Sequence, residues 1–141
     1  LMASNYAGNA FTIALVGYVH SISHAVSALY NVPHGLANAI ILPHVLDYYG
    51  SSIYKKLAEV ARFSNIADNS KSDKELAEIV IQKIRDMNKN MDIPETIPEI
   101  QRKDIPIIVS KALKEANPLY PVPKLMNEED CSKVVKELLI N

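Results

Sequence analysis

Charge is missing from the first third of this chain of 141 residues: between Leu1 and Leu46 there is no Asp, Glu, Lys or Arg. So long an uncharged stretch raises the question of a membrane span, which needs about 20 mostly apolar residues. Thr12, His20, Ser21, Ser23, His24 and Ser27 interrupt the run and Pro33 follows it, so the reading is a buried helix of a protein outside the membrane. No basic segment precedes it, which speaks against a signal peptide. Cysteine is nearly absent. Cys131 alone gives neither a disulfide framework nor a thiolate metal cluster, in keeping with a reducing cytoplasm, and its helical-spaced neighbours Val134, Val135, Leu138 and Leu139 make it a packed thiol. Basic runs and basic-aromatic interleaving are also lacking. With 15 basic and 16 acidic residues and a net charge of −1, nucleic acid is not the expected partner.

Strand signals, repeats and low-complexity tracts are absent as well, which leaves an all-α chain, a helical bundle whose length suits a single domain over residues 1–141. Ala7 to Tyr30 is apolar nearly all round and is expected as one enclosed helix ending at Asn31 to Pro33. Leu36, Ala37, Ala39, Ile40 and Ile41 belong to a second helix, kinked or ended by Pro43, so residues 1–49 form a buried hairpin. Residues 50–141 read as amphipathic helices. Ile53, Leu57, Val60, Ala61 and Ser64 face inward on the first. Ser72 and Glu75 form a capping box before Leu76, Ile79, Val80, Ile84 and Met87. Asp104 and Pro106 open a helix that stops near Asn117-Pro118, and Asn127 starts the last one, with Glu128, Glu129 and Asp130 at the positive end of its dipole.

All four histidines lie in or next to the uncharged stretch, at positions 20, 24, 34 and 44. Imidazole can bind a metal or move a proton near neutral pH without a permanent charge, which suggests chemistry held in a buried core. His20 and His24 are four apart and share a helix face; His34 opens the next helix, which can fold back so that its ring meets theirs. The same spacing also suits core histidines satisfied by backbone carbonyls or by the neighbouring serines. His44, after Pro43 on a helix rim, needs no role beyond that position.

The stretch Gly17-Tyr18-Val19-His20-Ser21-Ile22-Ser23-His24, followed by Val32-Pro33-His34-Gly35-Leu36-Ala37-Asn38-Ala39-Ile40-Ile41-Leu42-Pro43-His44-Val45, resembles the signature of the iron-containing, group III alcohol dehydrogenases. Ala116-Asn117-Pro118 and Pro121-Val122-Pro123 are similar to that family's last loop before its terminal helix. The resemblance implies that His20 and His34 are metal ligands and that His24 lies beside the nicotinamide, in contact with cofactor and catalytic in role. It implies ferrous iron, sometimes zinc, and NAD or NADP, with a small alcohol or aldehyde as substrate. The family's other two ligands, an Asp and a His, and its N-terminal nucleotide-binding domain come earlier in sequence and have no counterpart here. The chain, which begins Leu1-Met2, is therefore expected to be the C-terminal portion of such an enzyme, partnered by the missing domain, inactive alone, cytoplasmic and homo-oligomeric. Ser27 departs from the resemblance, since the family usually carries glycine there.

Two other classes remain open. A stand-alone helical metal-binding or sensing module would use His20, His24 and His34 all as ligands. A structural or protein-interaction module would use the uncharged hairpin as an oligomer contact.

Overall fold

Helix boundaries follow largely from capping chemistry. The computed structural model describes residues 1–140 and contains no strand among them. Seven α-helices run in order among these residues: α1 (Met2–Ala14), α2 (Tyr18–Tyr30), α3 (His34–Tyr49), α4 (Tyr54–Ser64), α5 (Asp73–Asn90), α6 (Ile105–Ala116) and α7 (Glu128–Glu137). At the start of α5 the Glu75 amide donates to Ser72 Oγ at 3.3 Å and the Ser72 amide to Glu75 Oε2 at 3.0 Å. Asn127 and Asp130 repeat this reciprocal cap on α7. Asn31 and Asn65 close α2 and α4 in the left-handed conformation, at φ 55° and 52°, which asparagine tolerates better than most residues.

The core is built around α2, which packs against both α3 and α6, with α7 packing on α6 and α3. Tyr18, Ile22 and Val26 of α2 meet Ile40, Ile41 and Val45 of α3, Ile108 and Ala112 of α6, and Val135 of α7 in one buried cluster. Each such Ile or Val contributes about 1.5–3 kcal/mol by leaving water. α4 and α5 form a smaller cluster from Ala58, Ala61, Leu76 and Val80, and α5 leans on α3. Tyr18 also locks the far end of the chain: its hydroxyl donates to Asn117 Oδ1 at 2.7 Å and accepts from the Met126 amide at 2.9 Å. Both ends of the loop between α6 and α7 are thereby tied to the helix that carries His20 and His24.

Several sequence expectations need correction. The helix foreseen over Ala7 to Tyr30 is two, bent by 102° at Leu15 to Gly17, where Leu15 adopts φ 60° and ψ −172°. That is a region most non-glycine residues avoid, so a leucine gives no hint of it in the sequence. α1 buries none of its residues, so the buried hairpin consists of α2 and α3 alone. Pro43, expected to kink or end α3, does not end it: the helix continues to Tyr49. Proline has no amide to donate to the carbonyl of Ala39, and Asn88 of α5 takes that place, donating Nδ2 to Ala39 O at 2.8 Å. Val60, Ser64 and Met87 are exposed. The small residues Ala58 and Ala61 let α4 approach α5, and that stripe rotates Val60 away. Among the described residues no single helix is long and apolar enough to cross a membrane.

Candidate metal centre

α2 has two stripes. Tyr18, Ser21, Ile22, Ala25 and Val26 recur at three- and four-residue spacing and are buried, which turns His20 and His24 onto the opposite side. The turn at Asn31 to Pro33 sends α3 back along α2 and brings His34, its first residue, to the same place. The three rings meet: centroids lie 6.0 Å apart for His20 and His24, 5.4 Å for His20 and His34, and 5.0 Å for His24 and His34. They are not in the core. His34 is exposed, His20 is half-buried, and the His24 side chain is 45% accessible, so the expectation of a buried histidine site is corrected. The cause is that missing charge does not mean buried: the uncharged stretch supplies both a core stripe and a surface stripe.

Ring orientation separates the pairs. Two imidazoles sharing a tetrahedral ion at about 2.0–2.1 Å from each nitrogen have centroids roughly 5 Å apart, with in-plane lone pairs that converge. His20 and His34 lie 5.4 Å apart with their ring planes tilted by 55°. His24 and His34 lie 5.0 Å apart with their ring planes stacked, 21° from parallel.

Hydrogen bonds select the His34 tautomer. Ser23, fully buried, places Oγ 3.1 Å from His34 Nδ1 and donates to His34 O at 3.4 Å. In the tautomer with hydrogen on Nδ1, which Ser23 Oγ accepts, the Nε2 lone pair is met by Asn38 Nδ2 at 2.9 Å. Asn38 Oδ1 is buried without a partner beside it. Burial, and after it the neighbouring His34 and His24, hold the His20 pKa below its ordinary 6.5, against an opposing pull from Glu115. The neutral, metal-binding form is thus favoured there. These two nitrogen donors fit a borderline divalent ion such as iron or zinc. Among the described residues no three His, Cys, Asp or Glu side chains are arranged to hold a metal.

Two neighbours have no signal in the sequence. Glu115, at the end of α6, accepts from His24 Nδ1 at 2.7 Å and from the Tyr120 hydroxyl at 2.8 Å, both at Oε1. The pairing spans 91 residues, which no local pattern reveals. An apolar groove of about 470 Å³ opens beside His20, with Phe11, Val19, Leu42, Tyr49 and Val122 among its walls. His44 stays outside the cluster, with Nδ1 3.1 Å from Glu137 of the α7 end and Nε2 3.4 Å from Glu95 O. Cys131 is buried and its thiol is pushed up to about 12, chiefly by burial, as expected of a packed residue.

The domain is all-helical among the described residues and gathers three imidazoles where α2 and α3 meet. Residues 1–139 match the C-terminal model of the Fe-containing alcohol dehydrogenase family, and the chain belongs to that family. It is 33% identical over 137 residues to a 1,3-propanediol dehydrogenase of Citrobacter freundii, covering 96% of this chain and 35% of that protein. Over 134 residues it is 31% identical to an NADPH-dependent butanol dehydrogenase of Clostridium saccharobutylicum, covering 91% of this chain and 34% of that one. Among solved structures, an alcohol dehydrogenase from Oenococcus oeni superposes with a TM-score of 0.84 at 29% identity, over 94% of this chain and 35% of its own. The chain therefore spans about a third of the length of the relatives it matches. Ser27, three residues after His24, has its Oγ buried and unpartnered.

Proposed function

We propose that this chain is the metal-binding, C-terminal portion of an NAD(P)-dependent alcohol dehydrogenase or aldehyde reductase, in which His20 and His34 hold the metal and His24 stands beside it. The observation that carries the reading is the gathering of three imidazole rings where α2 and α3 meet, with centroids 6.0, 5.4 and 5.0 Å apart. Bound iron, or zinc, would supply a Lewis acid that polarises the alcohol or aldehyde oxygen so that hydride passes between substrate carbon and nicotinamide.

The chain's own residues do the rest. Ser23 holds His34 through Nδ1 and leaves Nε2 as the ligating atom, whose lone pair a metal would take over from Asn38 Nδ2. Burial lowers the His20 pKa and so favours the neutral ring. His24 has Nδ1 occupied by Glu115, which leaves Nε2 to accept the alcohol proton and pass it to water. The apolar groove beside His20 receives the carbon chain of a small alcohol and excludes water there. The nicotinamide nucleotide, and the remaining ligands that a stable catalytic site requires, come from a preceding nucleotide-binding portion of the enzyme. The exposed apolar side chains of α1, Tyr6, Phe11 and Ile13, are the surface proposed to meet it or another protomer. The cytoplasm is the proposed location, in keeping with a single buried thiol.

The test is a chimera in which this chain replaces the matching third of the Citrobacter freundii 1,3-propanediol dehydrogenase. A folded, iron-loaded chimera is expected to oxidise small alcohols with NAD(P) and to lose that activity with His20→Ala, while the 141-residue chain alone turns nothing over. A folded chimera that binds iron without oxidising alcohol, or appreciable turnover by the chain alone, contradicts the proposal.

A further inference from the structure

The carboxylate of Glu115 has a position that the hairpin motif does not explain. It comes from α6, which packs on α2, and its Oε1 takes two donors at once, His24 Nδ1 at 2.7 Å and the Tyr120 hydroxyl at 2.8 Å. Tyr120 lies in the loop after α6, and that loop is held by Tyr18 through Asn117 and Met126. The carboxylate is therefore not a freely rotating surface group: a helix end and a pinned loop both fix it. An exposed ion pair of two loose side chains contributes little. Here the geometry has a different consequence, which is to decide which nitrogen of His24 carries the proton.

We propose that Glu115, steadied by Tyr120, is a positioning residue that holds His24 with Nδ1 protonated and Nε2 bare. A carboxylate can only accept from Nδ1, so the tautomer with hydrogen on Nε2 leaves Nδ1 and Oε1 as two facing lone pairs at 2.7 Å and is disfavoured. The arrangement also turns the ring. With Nδ1 tethered to α6, Nε2 points away from Glu115, and the ring is kept stacked on His34. When Nε2 takes a proton from an alcohol hydroxyl, the imidazolium lies against a carboxylate that stabilises it; Nδ1 keeps its own proton, Glu115 remains ionised, and the accepted proton leaves from Nε2 to water. Lys111 and Lys114 border the same shallow surface as His24 and Glu115. The inference extends the proposed role of His24, yet its physical content is independent of any reaction.

The experiment reads the tautomer directly, by long-range proton–nitrogen correlation spectra of the His24 ring in the metal-free protein, well above imidazole titration near about 6.5. In the unmodified protein Nδ1 is expected at the pyrrole-like end of the nitrogen range and Nε2 at the pyridine-like end. Glu115→Ala should pull both nitrogens toward averaged positions. Glu115→Gln, whose amide oxygen still accepts from Nδ1, should restore most of the separation. Tyr120→Phe should give a smaller loss than Glu115→Ala. Added Zn2+ should bind the Glu115→Ala protein as tightly as the unmodified one, because the carboxylate acts on His24 and not on the ion. A His24 ring protonated on Nε2 in the unmodified protein, or unchanged nitrogen shifts in Glu115→Ala, overturns the inference. So does a loss of Zn2+ affinity in Glu115→Ala as large as that in His20→Ala, which would make Glu115 a ligand. None of the tautomer readings depends on metal, cofactor or turnover, so their failure leaves the proposed roles of His20 and His34 standing, and the reverse also holds.

Discussion

Replacing Tyr18 with phenylalanine removes one oxygen and tests how the site is held together. The ring is fully buried and would remain so, leaving the hydrophobic contribution nearly unchanged. What is lost is a hydroxyl that donates to Asn117 Oδ1 at 2.7 Å and accepts from the Met126 amide at 2.9 Å. Two ordinary hydrogen bonds contribute about 1 kcal/mol each, and a buried donor left without a partner costs about 1–3 kcal/mol, so the substitution should destabilise the chain by roughly 2–4 kcal/mol. Met126 is itself buried, which prevents water from replacing the hydroxyl at its amide. With a urea slope of about 1–3 kcal/mol/M for a small protein, the unfolding midpoint followed by helical circular dichroism should fall by roughly 1–2 M. The loop carrying Tyr120 should also loosen, seen as faster amide exchange at Met126 and its neighbours. A midpoint within about 0.3 M of the unmodified protein would refute the claim that this hydroxyl ties the α6–α7 loop to α2.

Further expectations rest on other parts of the structure. Asn88→Ala removes the donor that replaces the missing Pro43 amide at Ala39 O, and should cost about 1–2 kcal/mol in urea unfolding; no loss would mean that the carbonyl is satisfied without it. Ser27→Ala deletes a buried, unpartnered hydroxyl in a helix and should stabilise by up to about 1 kcal/mol, measured in the same way; destabilisation would show that the hydroxyl has a partner. His20 has a depressed pKa, so below 6.5 the unfolded chain takes up a proton that the folded one resists. Its contribution to stability is complete above that value and is lost as pH falls toward the lower folded pKa. Urea midpoints should accordingly fall less steeply with acid in His20→Asn than in the unmodified protein, and an equal slope in both would contradict this. Cys131 should resist thiol reagents at neutral pH until urea unfolds the chain, as its burial and raised pKa require; rapid labelling of the native protein would contradict this.

The parts of this molecule that are legible in its sequence are those decided locally. The reciprocal caps at Ser72 with Glu75 and at Asn127 fix the starts of α5 and α7, and Asn117-Pro118 marks the end of α6. The four-residue step from His20 to His24 and the turn before His34 are enough to bring three rings together. What escapes is decided by distant partners or by backbone states without a side-chain signature. Pro43 reads as a helix breaker because its remedy, Asn88, lies 45 residues further along on another helix. Leu15 turns the chain in a conformation that leucine rarely adopts, so one apolar run became two helices. Absence of charge suggested a buried site, yet the histidines occupy the outer stripe of α2 while Tyr18, Ile22 and Val26 occupy the inner one. Glu115 and Tyr120 reach His24 only through the packing of α6 on α2.

The central claim is a division of labour among three neighbouring imidazoles, and metal affinity measures it most directly. Zn2+ binding to the unmodified chain should be compared with that of His20→Ala, His34→Ala and His24→Ala, each checked for fold by circular dichroism. Removing a residue that merely orients a ligand commonly costs roughly 10–100-fold in affinity, so loss of a ligand itself should cost at least that much. The account predicts such a loss for His20→Ala and His34→Ala and near-unchanged affinity for His24→Ala. Equal losses at all three positions would mean a three-histidine metal site, and no loss at any of them would mean that the cluster is not a metal centre; either result contradicts the account.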